Sequence, residues 1–293
     1  MRHLIIVMAL SLACFGPACT EESVTRESIT IALKPDKNPD RLIKEKAALE
    51  VYLSDELLHP VKVIVPLSSA VITTGFANGS IDLGFLSSTE AAKAINAEVA
   101  DVLLAGEIDG STHYLSYWVS LKENSYSSIE ELRGKPIAFS SRTSTSGFLI
   151  PTWDLFKRKL ITEDEGPEGF FGEGNVFYGV GYVSAIEKVL SGEVEAAAVS
   201  YYVIDEDRYL TPVQRSRLRM VSSQGPVPTH TISCRRTLDL SLRNRVKKVL
   251  LQMNQNNSKL RDLVFNSKLV EVDPKKHLRI SHETLSIVSR MKL

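Results

Sequence analysis

Cysteine is scarce in this chain, with three among 293 residues, at positions 14, 19 and 234. A disulfide framework is therefore not what holds it together. Net charge is absent too: 35 basic side chains offset 35 acidic ones. A general electrostatic attraction to nucleic acid or membrane surface is excluded, so any anion must be bound by a local site. Aromatics are 7% of the residues, too few for a base-stacking platform. The histidines are scattered, and even the nearest pair, His277 and His282, are five apart and share no helix face. There is no Gly-x-Ser-x-Gly elbow, and Gly179-Val-Gly-Tyr-Val-Ser184 only half matches a dinucleotide fingerprint. These gaps predict no catalytic residues, no metal and no cofactor.

Long hydrophobic runs are likewise few. The longest apolar run, Leu4 to Phe15, follows Arg2-His3 and is too short to span a bilayer. Gly16-Pro-Ala-Cys19 and the polar Thr20-Glu-Glu-Ser23 come next, the pattern of a removable export segment. Small residues placed just before a cysteine resemble a bacterial lipoprotein signal, with Cys19 acylated. Cys14 is the second candidate, and an unlipidated secretory signal is the third reading. Cleavage at Cys19 leaves Cys234 alone in the body of the chain, a residue that reads as a small core hydrophobe.

What remains has an ordinary globular composition, 43% hydrophobic and 24% charged. Ile29–Leu33 reads as a strand, 41–58 as a helix and Val61–Val65 as a second strand, a βαβ opening that favours a parallel sheet. Ile81–Leu86 is a strand ending in Ser87-Ser-Thr89, where a helix starts. Those hydroxyls can be a plain cap or a ligand contact. A polar stretch at 122–128 suggests a crossing into a second lobe. Gln224–His230, with Pro226 and Pro228, reads as a rigid turn after which the chain returns.

One stretch is unusual. Between the buried strand Pro136–Phe139 and a helix striped by Leu149, Trp153, Phe156 and Leu160 lie Ser140-Ser-Arg142-Thr-Ser144-Thr145-Ser146-Gly147. A strand entering a helix through such a turn aims free N–H groups and the positive end of the helix dipole at one spot. A cap uses one or two hydroxyls, and here there are six. Glycine at position 147 allows close approach to the backbone. The stretch reads as an anion seat.

Leu132-Arg-Gly-Lys-Pro-Ile-Ala-Phe139 followed by Ser144-Thr-Ser-Gly-Phe-Leu-Ile-Pro151 resembles the signature of the phosphonate/phosphite/phosphate-binding proteins of ABC importers. Gly79-Ser-Ile-Asp82, Gly192-Glu-Val-Glu-Ala-Ala-Ala-Val199 and Pro226-Val-Pro228 extend the resemblance over most of residues 29–255. It implies an α/β fold of the two-lobed type II periplasmic-binding-protein kind, with a hinge and a ligand cleft between the lobes. The expected organisation is a signal peptide at 1–19, a tether at 20–28, lobe 1 from 29–121 plus 229–293, and lobe 2 from 122–228. Ser144, Thr145 and Ser146 fall on the family's oxyanion residues. Tyr114 falls on a cleft tyrosine that hydrogen-bonds ligand, with a core or hinge aromatic as the alternative. Ser69, Tyr182 and Ser200 stand where many members have tyrosine, histidine and aspartate, and Arg142 would add charge if it faces the cleft. The resemblance implies a monomeric, periplasmic, lipid-anchored protein that binds a small oxyanion and delivers it to an inner-membrane permease, with no nucleic-acid partner. Presentation of ligand to a membrane sensor, or a phosphate-ester enzyme on the same fold, are the alternatives. Loss of the family's carboxylate at Ser200 leads us to expect poor recognition of aminoalkylphosphonates.

Overall fold

The computed structural model describes residues 28–34, 39–206 and 209–293, with side chains from position 43 onward in the first helix. The export segment, and with it Cys14 and Cys19, lies outside the described residues. In chain order the first elements are β1 (Ile29–Ala32), α1 (Pro39–Leu57), β2 (Val61–Ile64), α2 (Ser69–Ala77), β3 (Leu83–Leu86), α3 (Ser88–Asn96), β4 (Ala100–Glu107) and β5 (His113–Leu121). A 3₁₀ turn at Ile129–Leu132 precedes β6 (Ile137–Phe139), and a π turn at Thr145–Leu149 runs into α4 (Ile150–Lys157). Then follow α5 (Glu168–Phe171), β7 (Val176–Tyr178), α6 (Tyr182–Leu190), β8 (Ala196–Ser200), α7 (Tyr202–Asp205), α8 (Pro212–Ser216) and β9 (Leu218–Pro228). The last are β10 (Thr231–Arg235), α9 (Leu240–Asn256), α10 (Ser258–Phe265), β11 (Lys268–Val270), α11 (Pro274–His277) and α12 (Arg279–Val288).

These strands build two sheets, each with its own core. The first has six strands in the order β11-β4-β10-β3-β1-β2, the second five in the order β7-β6-β8-β5-β9. β1 runs parallel to β2 and β3, and β6 parallel to β7 and β8, as βαβ connections require. β10 and β5 run antiparallel to their neighbours. Leu49, Leu53 and Leu57 of α1 lie one turn apart and pack onto Val63, Leu83 and Leu104 in the first core. In the second, Trp118, Phe139, Phe148 and Phe171 form an aromatic centre, with Phe139 edge-on to Phe148 at 5.0 Å. Aromatic pairs of this kind contribute about 0.5–1.5 kcal/mol beyond their burial and fix β6 against the turn that follows it. Asp82 joins three strands of the first sheet. It accepts from the Thr30 N–H and from Arg235 Nε, each at 2.8 Å.

Two expectations are corrected. The chain passes from the first sheet to the second between β4 and β5, ahead of Leu121, because β5 pairs with β8 and β9. The polar stretch at 122–128 is a surface turn; polarity marks exposure there, not a crossing. The return does fall at Thr229 and His230. From the C-terminal segment assigned to lobe 1, Ile280, Ile287, Val288 and Met291 in and after α12 join the second core instead. Gln224–Pro228 is also not a turn but the end of β9, with Val227 opposite Tyr114 and Pro228 opposite His113. β9 is the outer strand of its sheet, where prolines cost no ladder bond. Cys234 is buried and unpaired in the first core, its thiol pushed up to about 11 chiefly by burial.

Candidate functional site

The turn after β6 is held by its own hydroxyls. Ser140 donates from Oγ to the Ala198 carbonyl of β8 at 2.7 Å, and its N–H donates to the Gly147 carbonyl. Ser144 caps the following turn, accepting the Gly147 N–H at 3.0 Å. The Leu149 N–H reaches back five residues to Ser144 O, so the first turn is wide before α4 tightens. Position 147 must be glycine for packing: a Cβ there would collide with the Ser140 side chain and sit 2.8 Å from Ser144 Oγ. The sequence reading had assigned that glycine to ligand access; its neighbours give it a structural reason.

Thr145 and Ser146 are buried and reach different partners. Ser146 Oγ lies 2.7 Å from the Tyr182 hydroxyl at the start of α6. Thr145 Oγ1 lies 2.6 Å from Thr89 Oγ1 at the start of α3, a contact between elements packed on different sheets. α3 itself is closed by a capping box, in which Ser87 and Glu90 satisfy each other's backbone N–H. Of the three hydroxyls there, Ser87 is the cap, and Thr89 is directed instead to Thr145. Beneath the seat, Ser116 on β5 donates to the Ser146 carbonyl at 2.5 Å and accepts from Gln224 Nε2 at 2.8 Å.

Tyr114 joins this seat to a cavity of about 100 Å³. Its hydroxyl stands beside Ser146 and Ser200, and its ring contacts Tyr201 with centroids 5.6 Å apart. Burial first, then the neighbouring Tyr182, pushes the Tyr114 phenol far above its ordinary value, so it remains a neutral donor. Tyr202 is raised for the same two reasons. Ser200 is fully buried, with the Tyr114 hydroxyl as its neighbour. Across the cavity stand Lys34, Glu45 and His230, with Lys34 Nζ 3.3 Å from His230 Nε2. Burial, reinforced by the lysine charge, holds His230 well below its ordinary value, and the imidazole is neutral.

The structure thus brings together Tyr114, Thr145, Ser146, Tyr182 and Ser200, with Ser144 as the cap that shapes their turn. It does not bring in the other two. Arg142 is exposed and lies over the Tyr178 ring, 4.0 Å from its centroid, outside the cavity wall. Ser69 opens α2, half-buried, with no hydrogen bond to the seat. Thr89 was only weighed, and Lys34, Tyr201, Tyr202, Tyr209 and His230 were missed. Tyr201 directly follows β8 and Lys34 comes two residues after β1, and the carboxyl ends of parallel strands are where open α/β sheets place ligands. Among the described residues no cluster of side chains could hold a metal ion, and no helix is long and apolar enough to cross a membrane.

Two α/β lobes with a hydroxyl-lined, tyrosine-walled cavity where they meet define a solute-binding fold of the type II periplasmic kind. The family model for "ABC transporter, phosphonate, periplasmic substrate-binding protein" matches residues 31–276, and the chain belongs to that family. It is a family of transport proteins, not of enzymes. The chain is 25% identical over 207 residues to the phosphate-import protein PhnD of Mycolicibacterium smegmatis, a match that covers 68% of this chain and 64% of that protein's length. In fold it is similar to PhnD1 of Prochlorococcus marinus, solved with methylphosphonate, at a TM-score of 0.76 and 21% identity over 90% of this chain and 99% of that one. It is similar in the same way to XAC2383 of Xanthomonas citri, solved with ATP, at 0.76 and 19% over 90% and 98%.

Proposed function

We propose that this protein is the solute-binding component of an ABC importer and binds a phosphorus oxyanion (phosphate, phosphite or a phosphonate) between its lobes. The observation that carries the reading is the convergence of Thr145 and Ser146, at a helix start, with Tyr182 and with Thr89 from the opposite lobe. Hydroxyls and helix N–H groups supply donors without charge, which suits a small anion bound reversibly. No base stands within hydrogen-bond reach of Ser144, Thr145 or Ser146 among the described residues, which favours binding over turnover. The lobes close over the ligand, the protein acts as a monomer in the periplasm, and an inner-membrane permease receives the ligand. Acylation of Cys19 tethers it to the membrane, and labelling with a radioactive fatty acid should be lost in Cys19→Ala.

A thermal-shift screen against phosphate, phosphite, methylphosphonate and sulfate tests the ligand class. A ligand at a hundred times its Kd stabilises the folded state by about 2.7 kcal/mol, which a melting curve resolves. A shift with at least one phosphorus oxyanion is the expected result. No shift with any of them would refute the reading.

A further inference from the structure

The cavity shares Tyr114 with the hydroxyl seat and is also lined by a lysine that forms no ion pair among the described residues. Lys34 follows β1, is half-buried, and its Nζ meets only His230 Nε2 among the described residues. Glu45 lines the same cavity, and no ion pair joins it to Lys34. An ammonium drawn out of water into a wall of tyrosine and phenylalanine is costly unless an anion meets it. A lysine can only donate, so His230 Nε2 accepts and the ring hydrogen sits on Nδ1, which makes the imidazole a second donor in the same wall. Tyr114 also lines the cavity, and its hydroxyl stands beside Ser146 and the buried Ser200. The cavity therefore carries donors at Lys34 and His230 and adjoins the hydroxyls of the seat through Tyr114.

Resting on the oxyanion reading above, we propose that the ligand is bifunctional: its phosphorus oxyanion occupies the Thr145–Ser146 seat, and a carboxylate on a short organic substituent is bound by Lys34 and His230. The size of the space limits that substituent. About 100 Å³ is below the roughly 150 Å³ of an engineered apolar cavity that holds benzene, so a chain of a few atoms fits and a nucleobase does not. Phe85, whose ring lies 5.2 Å from that of His230, holds the imidazole in place.

Titration calorimetry with phosphonoacetate, phosphonopropionate, methylphosphonate and aminoethylphosphonate tests this. A charge-assisted hydrogen bond gained at Lys34 should make at least one phosphonocarboxylate bind about tenfold or more tighter than methylphosphonate. Lys34→Met should abolish that advantage, lowering phosphonocarboxylate affinity by a larger factor than methylphosphonate affinity. Should that variant not fold, His230→Gln, which keeps an acceptor for Lys34, should narrow the same gap. Equal affinity of wild type for the phosphonocarboxylates and methylphosphonate overturns the inference while leaving the oxyanion reading intact. So does tightest binding of aminoethylphosphonate, which would give the role to Glu45, or a loss in Lys34→Met shared equally by every ligand. Failure of all four to bind, with no response to phosphate or phosphite, would end both readings.

Discussion

Replacing Ser146 and Ser144 by alanine separately should divide binding from folding within one turn. Ser146 is fully buried, its carbonyl is fixed by Ser116, and its hydroxyl meets Tyr182 at 2.7 Å. Ser146→Ala removes one hydrogen bond to a charged ligand, worth about 1.5–3 kcal/mol, so Kd should rise roughly ten- to a hundredfold. It also ends the neutral contact with Tyr182, about 0.5–1.5 kcal/mol of stability. Ser144 is half-buried and its oxygen already accepts the Gly147 N–H. Ser144→Ala removes that cap, about 1 kcal/mol, which lowers the melting midpoint of a chain this size by roughly 2–4 °C. With its oxygen committed to that cap, Ser144 should contribute less to affinity than Ser146, so Ser144→Ala loses mainly stability and Ser146→Ala mainly affinity. Calorimetry for Kd and ligand-free melting curves, on both variants and on Tyr182→Phe, make the comparison. Unchanged Kd in Ser146→Ala together with a lowered melting midpoint would refute the reasoning and make that hydroxyl a strut for Tyr182.

Thr89→Val keeps the shape of the side chain while deleting the hydroxyl contact between α3 and the seat. It should weaken oxyanion binding about tenfold, and the ligand-induced decrease in radius of gyration by small-angle scattering should be smaller; an unaltered titration and scattering curve would make the contact incidental. His277 on α11 is held down to about 4, first by burial and, among its neighbours, by His113, against the raising effect of its bond to the Thr229 carbonyl at the lobe crossing. Its folded-state value lies below the unfolded one of about 6.5, so its contribution is complete above that pH and is lost progressively as pH falls towards 4. That difference amounts to about 3 kcal/mol. Melting midpoints between about pH 7 and about pH 4.5 should fall less in His277→Gln than in wild type; parallel curves would assign the acid sensitivity elsewhere.

The comparison between sequence and structure turns on distance along the chain. The strand, the hydroxyl run and the helix of the seat are contiguous, and a local geometry of N–H groups and caps follows from residue type alone. That is why Ser144, Thr145 and Ser146 were legible, as were the alternating helices and parallel strands of each lobe. The resemblance placed Tyr114, Tyr182 and Ser200, and the structure sets them around Ser146. The same local reasoning went wrong where a residue type has two uses. Prolines at 226 and 228 signal a turn unless the strand is at a sheet edge, and only the strand order of the second sheet decides that. Arginine at 142 suggests an anion partner, yet an aromatic face at Tyr178 holds it outside.

By itself the sequence determined the fold class and picked out the hydroxyl-rich turn before α4, because hydrophobic period and helix capping are written within a dozen residues of each other. The tertiary structure alone decided the second half of the site. Thr89 meets Thr145 across 56 positions and Lys34 meets His230 across 196. Such pairs depend on how two sheets are docked and on where the chain crosses between them. No local pattern encodes that docking, because it is set by the packing of both cores at once.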